Sequence, residues 1–368
     1  MPTPVNLFDY AELARRSLSD SIWDFLCGGS GDEVTLRANR AALDRISLLP
    51  RVLTGFTDPG IACNWFDRPS AMPIAVAPMA YHKLFDVQGE LATARAAKAA
   101  GVPLIVSTLS SVPIEAIAEV GADLWFQLYW LKDQDLVKSM IRRAEDAGCT
   151  CIMVTADVPV MARRLRDLRN GFVLPAEVQA ANLAGSEYLD SISHTASTAA
   201  SAVARHTREA FLPGLSWGHV EQLRAMTTLP IIVKGLMDPR DARRASECGA
   251  NGVVVSNHGG RQFDGAPGAL ECLAGVAEVV PRGCSVLFDS GIRTGSDVLK
   301  ALALGADGVL LGRPILWGLA AQGQLGVEQV LALLKAELQD ALVLTGCRAL
   351  ADTRALAIGH AQYSRDGT

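Results

Sequence analysis

From residue 71 onward the chain repeats one unit, and that repetition is the strongest constraint on its fold. Short runs of strand composition occur at 73–78 (PIAVAP), 103–107 (PLIVS), 123–129 (DLWFQLY) and 151–157 (CIMVTAD). Four more follow at 230–234 (PIIVK), 252–256 (GVVVS), 285–289 (SVLFD) and 307–311 (DGVLL). Most are apolar on both faces, the signature of strands buried in a parallel sheet. Helical stretches such as GELATARAAKAAG, KSMIRRAEDAG, PRDARRASECG and SDVLKALALG lie between them. Five helices end in a glycine shortly before the next strand: Gly101, Gly121, Gly148, Gly249 and Gly305. Glycine just past a helix takes the left-handed cap that turns the chain back. Eight strands alternating with helices between residues 71 and 350 predict a (β/α)8 TIM barrel, an α/β fold. A doubly wound open sheet is the alternative, but no GxGxxG follows the first strand.

The rest of the chain is read around that barrel. Residues 7–17, 19–27 and 32–44 have helical apolar spacing, with Asp9 and Asp20 near the expected caps and GGSGD at 28–32 before the third. They predict a helical cap over 1–70, a barrel over 71–350 and a tail over 351–368, in a single domain. One connection, 163–228, is too long for a simple helix, and its LAGSEY and Ala/Ser-rich segments predict a mobile excursion over the barrel mouth. A net charge of −5 and a pI near 5.7 leave no basic footprint, so nucleic acid is not an expected partner. The most apolar stretch, 298–321, is broken by Lys300, Asp307 and Arg313, which excludes a membrane span there. The eight cysteines are scattered. Cys149 and Cys151 lack a second ligand pair, so packing is expected there and no metal. Free thiols and a polar, periodic N-terminus together predict a cytoplasmic protein.

In a barrel of this kind the strand C-termini converge on one face, where the chemistry sits. Those ends are Pro78–Ala80 with Met79, Ser107 and Thr108, Gln127 and Tyr129, and Thr155 and Asp157. The later ones are Lys234, His258 and Arg261, Asp289, and Gly312 and Arg313. Residues 253–262 (VVVSNHGGRQ) place a titratable base and a fixed cation just beyond a buried strand, with a glycine pair between them to bend the backbone. DSGIRTGSD (289–297) and LLGRP (310–314) put glycine and arginine after the last two strands, the usual position of a phosphate cradle in this architecture. An imidazole, a lysine and several arginines beside such a cradle suit an anionic substrate and a phosphorylated cofactor.

SNHGGRQ, FQLY, TADVP followed by two arginines, VKG, D-x-G-x-R and GRP, in that order, resemble the FMN-dependent α-hydroxy acid oxidase and dehydrogenase family over residues 7–350. The resemblance implies FMN at the strand C-termini and oxidation of (S)-2-hydroxy acids to 2-oxo acids. By motif it makes His258 the catalytic base, Asp157 its orienting carboxylate, Tyr129 a partner of the substrate hydroxyl, and Arg261 and Arg164 the clamp on the substrate carboxylate. For the flavin it implies Lys234 beside N1 and the C2 carbonyl, the backbone of Pro78, Met79 and Ala80 along N5, and Ser107, Gln127, Thr155 and Ser256 around the ring. Asp289 would then meet the ribityl chain, and Gly291, Arg293, Gly312 and Arg313 the phosphate.

Two departures stand out. The family often has a tyrosine in the cap that helps bind the substrate carboxylate, and Phe25 stands in its place. The phosphate motif, often D-G-G, is Asp289-Ser290-Gly291, which leaves the backbone donors in place. W-D-F-L at 23–26, APMAYH and RRLRDLRNGF are most similar to the 4-hydroxymandelate oxidase branch of that family, whose substrates are aryl glycolates. An apolar pocket formed by Phe25, the Met79–Tyr81 turn and Met161 is expected to hold the ring. The resemblance also implies O2 as acceptor, H2O2 as product and a homotetramer. An oxidase of lactate or glycolate, an FMN-dependent dehydrogenase and a non-catalytic FMN-binding protein are the competing readings.

Overall fold

The computed structural model describes residues 4–184 and 209–360. Eight parallel strands close into a barrel: β1 (Ile74–Val76), β2 (Leu104–Ser107), β3 (Leu124–Leu128), β4 (Cys151–Thr155), β5 (Ile231–Leu236), β6 (Gly252–Val255), β7 (Ser285–Phe288) and β8 (Gly308–Leu311). Each is one of the eight runs read from the sequence. They pair in chain order, and β8 returns to β1 with Val309 opposite Ile74. The five glycines expected to end helices all take positive φ, from +66° at Gly101 to +115° at Gly305. That conformation costs an L side chain about 1–2 kcal/mol and glycine almost nothing.

The inside of the barrel is filled by Ala75, Ile105, Trp125, Met153, Ile232, Val254, Leu287 and Leu310, one apolar layer stacked on the next. Its N-terminal end is closed by a short hairpin, Cys63–Trp65 with Arg68–Ser70. Trp65 lies edge-on to Trp125, with ring centroids 5.5 Å apart. A Cβ on Gly308, the first residue of β8, would come within 2.3 Å of the Trp65 ring, so only glycine lets that strand start against the plug.

The cap is helical only as far as Arg45. Helices α1 (Leu7–Ser17), α2 (Asp20–Cys27) and α3 (Val34–Arg45) match the expected spans, but Asn6 and Ser19 cap the first two. Asp9 and Asp20 fall inside the first turn, where a carboxylate faces the positive end of the helix dipole. Beyond Arg45 the chain forms a short strand, Ile46–Leu48, paired with Ile358–His360, and then the hairpin. A long final helix, Arg313–Thr345, breaks at Gln322 and Gly323 and packs against α1.

The flanks of the long connection are ordered into short helices at Leu165–Arg169 and Trp217–Met226. The mobile segment expected at its centre lies at 185–208, outside the described residues. Among the described residues no helix is long and apolar enough to cross a membrane.

Candidate active site

The C-terminal ends of the strands surround a cavity. Pro78, Met79, Ala80 and Ser107 line one side, with Tyr129, Met161 and Arg164 beyond them. Lys234, His258, Arg261, Asp289, Gly291, Arg293, Gly312 and Arg313 also line the cavity, together with Phe25 of α2. The structure thus brings together most of the residues singled out from separate motifs. Gln127, Thr155, Ser256 and Asp157 stand behind this lining.

Gln127, Thr155 and Ser256 are buried and Asp157 is half-buried, and each is hydrogen-bonded to a neighbour. Gln127 accepts from Ser107 Oγ (3.2 Å) and donates to Thr155 Oγ1 (3.0 Å). Ser256 Oγ accepts from Lys234 Nζ (2.9 Å) and from the backbone N–H of His258 (3.0 Å). Asp157 Oδ1 lies 3.0 Å from His258 Nδ1. Burial pushes the Asp157 carboxyl up, but His258 and Lys234 outweigh it and hold the group below its usual value. Burial drives the His258 imidazole down, with Lys234 and Arg164 adding to the effect, and Asp157 only partly restores it. The dyad therefore rests as a carboxylate and a neutral imidazole, with Nδ1–H donated to Asp157 and the Nε2 lone pair free.

Backbone geometry sets this pair up. The turn after β6 is left-handed at three successive residues, His258 (φ +59°), Gly259 (+65°) and Gly260 (+72°). The bend expected from the glycine pair thus begins one residue earlier, at the histidine itself. A Cβ on Gly260 would stand 2.5 Å from Leu36 Cα, so this glycine is also where α3 docks. In the VKG motif, a Cβ on Gly235 would sit 2.5 Å from Asp157 Cγ, and its absence makes room for the carboxylate. Gln262 ties the same loops together by donating to the carbonyls of Asp157 (2.8 Å) and Val160 (2.9 Å).

Arg164, Arg261, Arg293 and Arg313 are half-buried at this end of the barrel, and none has an ion-pair partner among the described residues. Burial, reinforced by Arg313 and Arg40, pulls Arg293 down to about 9. Burial and the neighbouring Arg164 and Arg313 pull Arg261 well below its usual value. Four such cations without carboxylates call for anions from outside the chain. Arg293 and Arg313 flank Gly291 (φ +109°) and Gly312 beyond β7 and β8, while Arg164 and Arg261 flank the dyad. The donor set thus fits one phosphate and one carboxylate.

Several details differ from the motif reading. Arg313 spends three of its donors on the carbonyls of Leu26, Gly28 and Gly259. Arg261 donates to those of Phe25 and Gly28, so both guanidiniums also hold the C-terminal end of α2. Lys234 and Asp289 form a buried ion pair at 2.9 Å. Ser290 adopts φ +85°, a position that favours glycine, and compensates with its hydroxyl. That hydroxyl donates to Asp289 (2.7 Å) and accepts from the Gly259 N–H (3.0 Å).

Residues 14–359 match the FMN-dependent dehydrogenase family. The chain belongs to that family. It is 52% identical to 4-hydroxymandelate oxidase of Amycolatopsis orientalis, covering 96% of this chain and 98% of that one. It is 43% identical to L-lactate oxidase of Nostoc sp., over 95% and 96% of the two chains. A crystal structure of mandelate oxidase with (S)-4-hydroxymandelic acid superposes with a TM-score of 0.93 at 52% identity, covering 97% of this chain and 99% of the other. The enzyme class, the barrel and the FMN cofactor expected from the sequence are thereby shown.

Sequence reasoning missed the aromatic residues around Phe25 and Tyr129. Phe172 stacks on Phe25, centroids 4.4 Å apart and nearly parallel, and Phe211 stacks on Tyr129 at 4.5 Å. Both come from the long connection after β4; Phe172 ends the RRLRDLRNGF motif, but nothing in the local sequence says which ring either one meets. The Arg164 and Arg261 guanidiniums lie 5.9 and 5.4 Å from the Phe25 ring, so the aromatic that replaces the family's tyrosine still contacts both cations.

Proposed function

We propose that the protein oxidises an (S)-2-hydroxy acid with an aromatic side chain, an aryl glycolate such as mandelate or 4-hydroxymandelate, to the 2-oxo acid, O2 being reduced to H2O2. The observation that carries this reading is one cavity holding a histidine–carboxylate dyad, two unpaired guanidiniums and an apolar wall. The 52% identical relative supports the substrate class.

FMN, when bound, takes up the two electrons that leave the α-carbon. Gly291, Arg293, Gly312 and Arg313 would hold its phosphate, Asp289 its ribityl chain, and Lys234, Ser256 and the backbone of Pro78, Met79 and Ala80 its ring, with Ser107 backed by Gln127 and Thr155. Lys234 stays charged: burial lowers it, but Asp289 and Asp157 outweigh burial. A fixed cation at that place favours the negative charge of the reduced ring. Arg164 and Arg261 grip the substrate carboxylate in planar, charge-assisted hydrogen bonds. Burial, and then Asp157, raise the Tyr129 phenol, so it stays protonated and can donate to the substrate hydroxyl. His258 receives the released proton at Nε2, and Asp157 stabilises the imidazolium that results.

Phe25 and Met161 with the Met79–Tyr81 turn form the surface for the ring. About 100 Å2 of newly dried aromatic surface supplies about 2.5 kcal/mol. That is of the same size as the roughly 1.5–3 kcal/mol lost with the missing cap hydroxyl. The test is an anaerobic substrate panel followed through bleaching of the flavin, with O2 admitted afterwards. (S)-Mandelate should exceed lactate at least about tenfold in kcat/KM, and Phe25→Tyr should narrow the gap by improving lactate. Faster turnover of lactate or glycolate would favour the second reading, a small-acid oxidase, for which the 43% identity to L-lactate oxidase speaks. Reduction without reoxidation by O2 would make the protein a dehydrogenase. We further propose a cytoplasmic homotetramer, to be checked by light scattering on the purified protein.

A further inference from the structure

Tyr81 is completely buried and lines the cavity, and its hydroxyl is used by none of the steps above. Its phenolic oxygen has no hydrogen-bond partner among the described residues. A buried hydroxyl left unpaired is costly, and such exceptions mark places where a group from outside the chain completes the bond. The backbone at this residue is left-handed (φ +59°, ψ +53°), an outlier for so bulky a side chain. The turn is held there by the Tyr81 N–H donating to the Leu109 carbonyl (3.1 Å) and by the Leu84 N–H donating to the Tyr81 carbonyl (2.9 Å). Tyr81 shares the cavity lining with the apolar side chains of Phe25, Phe85, Leu109 and Met161.

The charges around the oxygen say which end of a substrate it meets. The Tyr129 phenol feels Asp157, Arg164 and Arg261, the groups of the dyad and the carboxylate clamp. The Tyr81 phenol feels its burial and Tyr129 alone. It is a neutral donor and acceptor with no guanidinium or carboxylate bonded to it among the described residues, unsuited to a carboxylate and suited to an uncharged hydroxyl.

We propose that Tyr81 determines specificity by hydrogen-bonding a hydroxyl group on the aromatic ring of the substrate. The inference rests on the aryl glycolate reading, and narrows it to ring-hydroxylated acids. A site built to pair a hydroxyl discriminates strongly against the analogue lacking it, because its own polar group is then stranded.

The experiment compares (S)-mandelate with its 3-hydroxy and 4-hydroxy forms, and lactate as control, in the parent and in Tyr81→Phe. In the parent, at least one hydroxylated acid should exceed mandelate. In Tyr81→Phe, that acid should lose about tenfold or more in kcat/KM relative to mandelate. An equal loss for all aryl acids, or no loss for any, overturns the proposal. A parent that prefers lactate to every aryl acid overturns the aryl reading itself, a result visible before any variant is made. FMN content and melting temperature report whether Tyr81→Phe folds. If it does not, the parent alone decides: 4-hydroxymandelate should exceed the similarly sized 4-methylmandelate at least tenfold, and equal turnover overturns the proposal.

Discussion

Asp157→Asn tests the dyad most directly. The carboxylate oxygen stands 3.0 Å from His258 Nδ1, and both groups are largely shielded from solvent. At that distance a carboxylate and an imidazolium attract by about 5.5 kcal/mol at an effective dielectric of about 20. Asparagine returns a neutral hydrogen bond of about 1 kcal/mol. About 4 kcal/mol of imidazolium stabilisation is then missing when the proton arrives, a loss of roughly 10³-fold in rate. The assay is anaerobic stopped-flow reduction of the flavin at saturating substrate across pH. FMN should stay bound, since the proposed phosphate cradle follows β7 and β8, away from Asp157. The pH profile carries the sign. With His258 as the proposed neutral base, the rate should be full above its pKa and fall below it. Asp157 is what raises that pKa against burial, so its removal should move the acid limb to lower pH while the plateau drops. A loss under tenfold with the limb unmoved would refute the dyad.

His258→Ala should keep FMN and slow its reduction at least about 10²-fold, with equal bleaching rates in variant and parent as the contrary result. Arg293→Ala should weaken FMN binding by roughly 1.5–3 kcal/mol, one charge-assisted phosphate contact, as read by fluorescence titration of the apoprotein. The same change should raise the melting temperature of the apoprotein, because it removes one of several crowded cations. Gly260→Ala should lose about 1–2 kcal/mol to its left-handed backbone, and about 1–3 kcal/mol more as the new methyl displaces α3, measured by denaturant unfolding. Thermal stability should be full above pH 6.5 and fall as pH drops below it. His258 and the buried His82 are both held down by burial in the folded chain, so the unfolded chain takes up protons first. A melting temperature flat between pH 7.5 and 5.5 would contradict this.

Much of this enzyme was legible in one dimension. Strand runs, helical spacing and the glycines that end helices are local properties, and all eight strands and the five capping glycines lie where the sequence puts them. The motif residues were legible too, because a barrel converts position at a strand end into position at one face. Asp157 and His258 are 101 residues apart, and their meeting follows from closure of the sheet.

Other features depended on contacts that no local pattern encodes. The hairpin at 63–70 reads as part of a cap, but the open end of the barrel takes its tryptophan as a plug. Gly260 reads as a flexible turn, and its decisive neighbour is Leu36, more than two hundred residues earlier. Phe172 and Phe211 are ordinary aromatics until the chain folds back and lays them on Phe25 and Tyr129. Tyr81 was read as one edge of the ring pocket, and only the packed structure shows its hydroxyl to be without a partner. Propensity and spacing act over a few residues, whereas an unpaired polar atom is defined by everything that surrounds it in space. The sequence by itself therefore determined the barrel and its motif residues, and the tertiary structure alone decided how the cavity around them is shaped and where it still lacks a partner.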